Sequence, residues 1–434
     1  MNPLAQALNE TIKQSEPAVL AMLAPMGKAL FYPKGILSQT AEAKQKATRF
    51  NATIGIAKEG GHAMHLQSIM AQFPGHPADE IMPYAPAPGH PTLRQRWLDH
   101  MKKKNPSLGN TPTSLPIVTN GITHGISLVA DLFAGPDDVL LLPDQFWGNY
   151  NMVFTVRHGA QVEKYSFFNG DEFNVEALKG AIEANRSAGK LMVLLNFPNN
   201  PTGYSLTESE SQAVAQVLIE AADSGLNIVA VCDDAYFGLF YEDEVSTESL
   251  FAFIAGKHEN LLAVKLDGAT KEDFVWGFRI GFITFATGRG TPEVLDALEK
   301  KTGGAIRGNI SNCALPSQTA LLKAMDDPDY EAQKQSKCDV LKARALKVKE
   351  VVTDPKYADL WTPYPFNSGY FMCIKLNGLD AEAFRVKLLD DYQIGTIATA
   401  PQDIRVAFSC VEVGDVEALF EAMADCAKAM KDGK

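Results

Sequence analysis

From about residue 114 the chain alternates short apolar runs with amphipathic stretches. The apolar runs predict strands over Leu115–Thr119, Val139–Leu142, Gln161–Phe167, Leu191–Asn196, Asn227–Cys232, Leu261–Leu266 and Phe278–Phe285. Between them the spacing is helical: Ile122, Ile126, Val129 and Phe133 fall on one stripe, with Gly135 placed to cap it. This rhythm predicts a large α/β domain whose sheet is covered by helices on both faces. Beyond the Pro-containing segment Asn312–Ser317 the pattern changes. A Lys-rich helical stretch precedes short strands near Gly369–Leu376 and Ile404–Phe408. A last helix, opened by Asp415, carries Val416, Leu419, Phe420, Met423 and Met430 on one face. That part reads as a smaller α+β domain.

Composition narrows the function classes. With 434 residues, 46% of them hydrophobic and 21% charged, the chain holds enough apolar material for about two or three domains. A net charge of -12 argues against nucleic acid or an anionic membrane as partner, since both attract concentrated Lys and Arg. The cysteines at 232, 313, 338, 373, 410 and 426 form no CxxC pair, and Cys232 ends an apolar run, so reduced thiols are expected. Met1–Ser15 lacks the apolar core of a secretory signal, and no stretch approaches the roughly 20 apolar residues of a membrane span. A cytoplasmic protein is expected. His62 and His65 have the spacing of paired ligands but no third follows, so no metal is expected.

Ligands of open α/β sheets bind at the carboxyl ends of the strands, and four of these ends are chemically distinctive. Thr119-Asn120-Gly121-Ile122-Thr123 runs from a strand into a helix, a place where free N–H groups and the helix dipole hold anions. Asn196-Phe197-Pro198-Asn199-Asn200-Pro201-Thr202-Gly203 is dense in turn formers. Cys232-Asp233-Asp234-Ala235-Tyr236 sets two carboxylates at the end of an apolar strand, a costly placement unless a cation or donor compensates. Asp267-Gly268-Ala269-Thr270-Lys271 brings a lysine to the fourth.

Together with Trp276-Gly277-Phe278-Arg279-Ile280-Gly281, these ends resemble the fold-type I pyridoxal-phosphate enzymes, specifically the class I aminotransferases. Asn-Pro-Thr-Gly at 200–203, Asp-x-Ala-Tyr at 233–236, and Lys271 with Arg279 eight positions later occur in the family's order. Trp147-Gly148-Asn149, Tyr84 followed by Gly89 and Leu93-Arg94, and Ile404-Arg405-Val406 extend the likeness, which covers about residues 50–430. The resemblance implies a three-layer large domain over 61–325 that binds pyridoxal 5'-phosphate and a small C-terminal domain over 326–434. Residues 1–60 contribute to the small domain.

The resemblance also implies roles. Lys271 links to the cofactor aldehyde as an imine and then acts as general base and acid. Asp233 pairs with the pyridine nitrogen, while Asn200 and Tyr236 donate to the phenolic oxygen. Trp147 stacks on the ring. Arg279, the backbone of Gly121, Ile122 and Thr123, and Tyr84 from a second subunit hold the phosphate. The family commonly has a serine three positions before the lysine; here Gly268 stands there, and Thr270 is the candidate replacement. Arg405 grips the substrate α-carboxylate. Arg307, in a segment like the family's Arg-x-x-x-Ser-Asn, reads a distal carboxylate across a homodimer interface. Gly55 lines the substrate pocket, which Trp147 and Asn200 also border.

The implied reaction moves an amino group from aspartate, glutamate or an aromatic amino acid to a 2-oxo acid such as 2-oxoglutarate. β-Elimination on the same scaffold is the alternative reaction, and an idle cofactor-binding protein a further one. A dinucleotide-binding oxidoreductase is disfavoured, because no GxGxxG follows a predicted strand.

Overall fold

All seven apolar runs become strands of one sheet in the computed structural model, which describes residues 1–15, 36–53, 55–72 and 76–433. They are β1 (Ile117–Asn120), β2 (Val139–Pro143), β3 (Gln161–Tyr165), β4 (Lys190–Asn196), β5 (Asn227–Asp233), β6 (Leu261–Asp267) and β7 (Ile280–Ala286). Their order is β1-β7-β6-β5-β4-β2-β3. β3, β2, β4, β5 and β6 pair in parallel, and β7 runs antiparallel to both of its neighbours. The register sets Asp233 between Asn196 and Leu266, so β4, β5 and β6 end at one level and present their last residues to the same space.

Both faces of this sheet are buried along β1, β2 and β4 to β7, whereas the edge strand β3 is largely exposed. Leu141 and Val193 join a cluster with Val214 and Leu218 of the helix Glu208–Asp223. Leu140, Leu142, Met192 and Leu194 join another with Ile126 and Val129 of the helix Ile122–Phe133. Each such side chain contributes about 1.5–3 kcal/mol by leaving water. The cap expected at Gly135 is displaced: the helix stops at Ala134 in an extended conformation, and the Gly135 carbonyl instead accepts from Asp138 in the turn to β2.

A second sheet comprises β8 (Trp361–Pro363), β9 (Met372–Leu376), β10 (Ile397–Ala400) and β11 (Asp403–Val406), antiparallel in the order β8-β9-β11-β10. β8 has only three residues and β10, Ile-Ala-Thr-Ala, a single large apolar side chain, so neither shows as an apolar run in the sequence. The helices Tyr330–Val352, Ala381–Tyr392 and Val416–Lys431 share a core with it. Asp415 does precede the last helix, yet its side chain makes no capping bond. Phe50–Asn51 pairs in parallel with Ile394–Gly395, and Ala407 N donates to Ala52 O at 2.8 Å, which ties residues 50–52 to the second sheet. Of the N-terminal segment, residues 16–35 and Ile54 lie outside the described residues. No described helix is long and apolar enough to cross a membrane.

Candidate active site

A cavity of about 280 Å³ opens where β4, β5 and β6 end, bounded on one side by the helix starting at Ile122 and on the other by the second sheet. Of the residues singled out above, Gly55, Ile122, Thr123, Trp147, Asn200 and Asp233 line it, as do Tyr236, Thr270, Lys271, Arg279 and Arg405.

Asp233 closes the floor. Its Oδ2 accepts from the Tyr150 hydroxyl at 2.6 Å and its Oδ1 from the Ala235 amide at 3.2 Å. Asn196 donates to the Asp233 carbonyl at 2.8 Å, locking the strand ends together. Burial still pushes the Asp233 carboxyl up to about 6, because two donors do not replace full hydration. A cation brought to this carboxylate would restore its charge.

Lys271 sits in the one-turn helix Ala269–Glu272, with its ammonium nitrogen 5.2 Å from the centre of the Tyr236 ring. Burial and then the positive charges of Arg279 and Arg405 bring its pKa down to about 8. A primary amine with that value is a substantial nucleophile and base near neutrality. A β-carbon on Gly55 would stand 3.2 Å from the Phe371 ring and 3.9 Å from Lys271 Nζ, so the glycine leaves this side open.

Arg405, on β11, is buried, and its guanidinium lies 4.0 Å from the centre of the Phe371 ring. Nη1 donates to Asn200 Oδ1 at 2.9 Å and Nη2 to the Thr53 carbonyl at 3.1 Å, while Nε is buried without a partner among the described residues. A buried cation with no carboxylate against it is expensive, and an incoming carboxylate relieves the cost.

At the far end, Gly121, with φ +78°, turns β1 into its helix and offers no capping side chain, which leaves first-turn N–H groups for an anion. A β-carbon there would lie 2.4 Å from Arg279 Nη2, so the glycine is what lets the guanidinium come alongside. Arg279 itself adopts φ +56°, and Thr270 Oγ1 donates to the Ile280 carbonyl at 3.2 Å. At Gly268, a β-carbon would lie 2.6 Å from the Ile280 carbonyl oxygen and 2.7 Å from Gly281 Cα. The close passage of β7 explains the missing serine.

Four lining residues carried no role in the sequence reading: Asn196 and Ala235, which lie inside the distinctive strand ends, and Tyr150 and Phe371, which were not singled out. Tyr150 lies three residues beyond Trp147, and Asn196 ends an apolar strand, so both carried a positional signal. The second carboxylate, Asp234, turns away from the cavity: it pairs with buried Lys265 of β6 and accepts from Ser249 Oγ at 2.6 Å. Lys265 inside the apolar run Leu261–Leu266 was itself a signal, since a lysine there must be paired.

The description "Aminotransferase class I and II" is that of the family profile matching residues 53–423. This chain belongs to that family. An aspartate aminotransferase of Bacillus sp. YM-2 is 24% identical over 307 residues, 70% of this chain and 72% of the relative. A probable N-acetyl-LL-diaminopimelate aminotransferase of Bacillus subtilis is 23% identical over 343 residues, 76% of this chain and 78% of the relative. The solved aminotransferase of Anaerococcus prevotii superposes with a TM-score of 0.82 at 25% identity, covering 93% of this chain and 98% of that one. The molecule is thus a fold-type I, pyridoxal-phosphate-dependent aminotransferase.

The donor set fits that cofactor. An anion cradle, a buried carboxylate awaiting a cation, an indole beside the cavity and an amine of lowered pKa match its phosphate, ring nitrogen, ring face and aldehyde in turn. Tyr84 and Arg307 stand outside this set. Tyr84 is 90% exposed, and Arg307 lies on the surface with its guanidinium on Ser311; neither lines the cavity of its own chain.

Proposed function

We propose that the aminotransferase takes its amino group from an acidic or aromatic amino acid and passes it to a 2-oxo acid such as 2-oxoglutarate. The observation that carries this reading is Arg405, a buried guanidinium with an unpartnered Nε, in the same cavity as Lys271. Both substrates of such a reaction share the α-carboxylate that a planar guanidinium grips with two parallel hydrogen bonds. Relatives named for aspartate, one of them for aspartate and prephenate, support the acidic class.

Bound pyridoxal phosphate supplies an electron sink for the pair released at the substrate Cα. The chain does the rest. Asp233 would keep the ring nitrogen protonated, Asn200 and Tyr236 would donate to the phenolic oxygen, and Trp147 would stack on the ring. Gly121, Ile122, Thr123, Thr270 and Arg279 hold the phosphate, with Tyr84 reaching in from the other subunit of a homodimer. Arg405 fixes the carboxylate so that the Cα–H bond faces Lys271, whose neutral Nζ removes the proton and returns it. Arg307 crosses the same interface to read a distal carboxylate.

Steady-state rates with a panel of amino donors test this. Arg405→Met lowers kcat/KM for every donor by at least about thirtyfold, the scale of about 2–5 kcal/mol for truncating one side of a buried charge pair. Arg307→Gln lowers it selectively for aspartate and glutamate. Equal losses for alanine and aspartate in Arg307→Gln refute the distal-carboxylate assignment.

A further inference from the structure

The two residues after Lys271 are a second concentration of buried charge, which the reaction above does not use. Glu272 receives Lys104 and His100 from the helix Pro91–Lys104, the latter at 3.4 Å, and Lys334 from the helix Tyr330–Val352 at 3.2 Å. Asp273 receives the same Lys334 at 3.1 Å and the Tyr330 hydroxyl. His100 also faces Glu331 at 3.8 Å. Burial pushes the Glu272 carboxyl up, but Lys104, Lys334 and His100 together hold it well below the usual carboxylate range.

Two consecutive buried carboxylates are a poor way to stabilise a loop, since apolar residues of equal volume do as well or better. They are a good way to fix direction. The segment they grip is strained: Phe274, next in the chain, sits at φ +57°, a conformation a non-glycine residue keeps only where its surroundings over-determine it. The Lys271 carbonyl is held as well, by the Tyr370 hydroxyl at 2.8 Å. The Lys271 carbonyl and the two residues after it are thus pinned, and among the described residues Lys334 is the one group that touches both carboxylates.

We propose that Lys334 is a positioning residue: by bridging Glu272 and Asp273 it aims the Lys271 amine and so sets how fast that amine captures the cofactor aldehyde. In this step the neutral Nζ adds to the aldehyde carbon, the aldehyde oxygen leaves as water, and a C=N bond remains. Lys334 belongs to the helix packed with the second sheet, so the clamp also joins that part of the molecule to the reactive lysine. The proposal rests on Lys271 being the cofactor's attachment point.

The test compares two cofactor forms on protein stripped of cofactor. Pyridoxal phosphate forms the bond to Lys271; pyridoxamine phosphate has no aldehyde and reports only the ring and phosphate contacts. Lys334→Met slows adduct formation, followed by absorbance, at least tenfold, in keeping with the roughly hundredfold that an ångström of misplacement costs. The dissociation constant for pyridoxamine phosphate stays within about twofold, an affinity change of no more than about 0.4 kcal/mol. Lys334→Arg recovers most of the rate. Tyr330→Phe, which removes a hydroxyl and no charge, shows the same split more weakly and serves if Lys334→Met does not fold. Unchanged capture by Lys334→Met, or equal weakening toward both cofactor forms, overturns the proposal alone. A wild-type chain that forms no adduct at residue 271 overturns it together with the reading beneath it.

Discussion

Asp233 pairs function with a stability cost at the scale of one carboxyl group. Its pKa rises from 3.8 to about 6 on folding, mainly through burial, so the native state holds the proton more tightly than the unfolded chain does. Stability contributed by this group is therefore full below about pH 4 and falls away as pH rises through about 6. At about 1.36 kcal/mol per pH unit, the penalty above that window is about 3 kcal/mol. Asp233→Asn in the cofactor-free protein consequently raises the melting temperature at pH 8 and changes it little at pH 4. In the loaded enzyme the same change lowers kcat by at least about thirtyfold, because the ring nitrogen loses its counter-charge. A melting temperature at pH 8 that falls as far as the activity would contradict this division. Lys265 and Asp234 show the opposite solution one strand away, where two buried charges neutralise each other and take no part in the cavity.

Elements decide which side chains a site can have. Gly268 marks where β7 passes so close to the turn after β6 that a β-carbon meets backbone atoms at 2.6 and 2.7 Å. Restoring the family's serine by Gly268→Ser therefore lowers stability, by about 1–3 kcal/mol as overpacking does, and gains no cofactor affinity. A variant that melts as the wild type and binds pyridoxal phosphate more tightly would refute this account. The same element shows what could be read from sequence. Six of the seven strands announced themselves because each is an apolar run with turn formers at its ends, and burial on both faces needs such runs; the edge strand β3, Gln-Val-Glu-Lys-Tyr, is mostly exposed. Their carboxyl ends carried the chemistry for the same reason, since polar residues there interrupt an apolar pattern. Phe371 did not stand out, because an aromatic residue near an apolar segment looks like core until a cavity is seen beside it. The strands β8 and β10 were hidden too, β8 because it has three residues and β10, Ile-Ala-Thr-Ala, because it carries a single large apolar side chain.

At the scale of the whole molecule, the proposed site draws on two chains. Tyr84 and Arg307 lie outside its own cavity, and both are expected to serve the neighbouring subunit of a homodimer. Mixing two inactive variants tests this. One carries Lys271→Ala; the other carries Tyr84→Ala with Arg307→Gln. Once subunits exchange, the hybrid dimer contains one site with a wild-type lysine from one chain and wild-type Tyr84 and Arg307 from the other. With random exchange in a two-fold dimer, about a quarter of the wild-type activity per site returns. No recovery from a mixture shown to have exchanged would place both residues elsewhere.

The amine of Lys271 is the centre of the proposed site, and borohydride reduction of the loaded enzyme followed by peptide mapping tests its role most directly. Reduction is expected to leave the cofactor on the peptide containing residue 271, and Lys271→Ala is expected to carry no label and to turn over no amino donor. Label on a different lysine, or undiminished turnover by Lys271→Ala, would contradict the account.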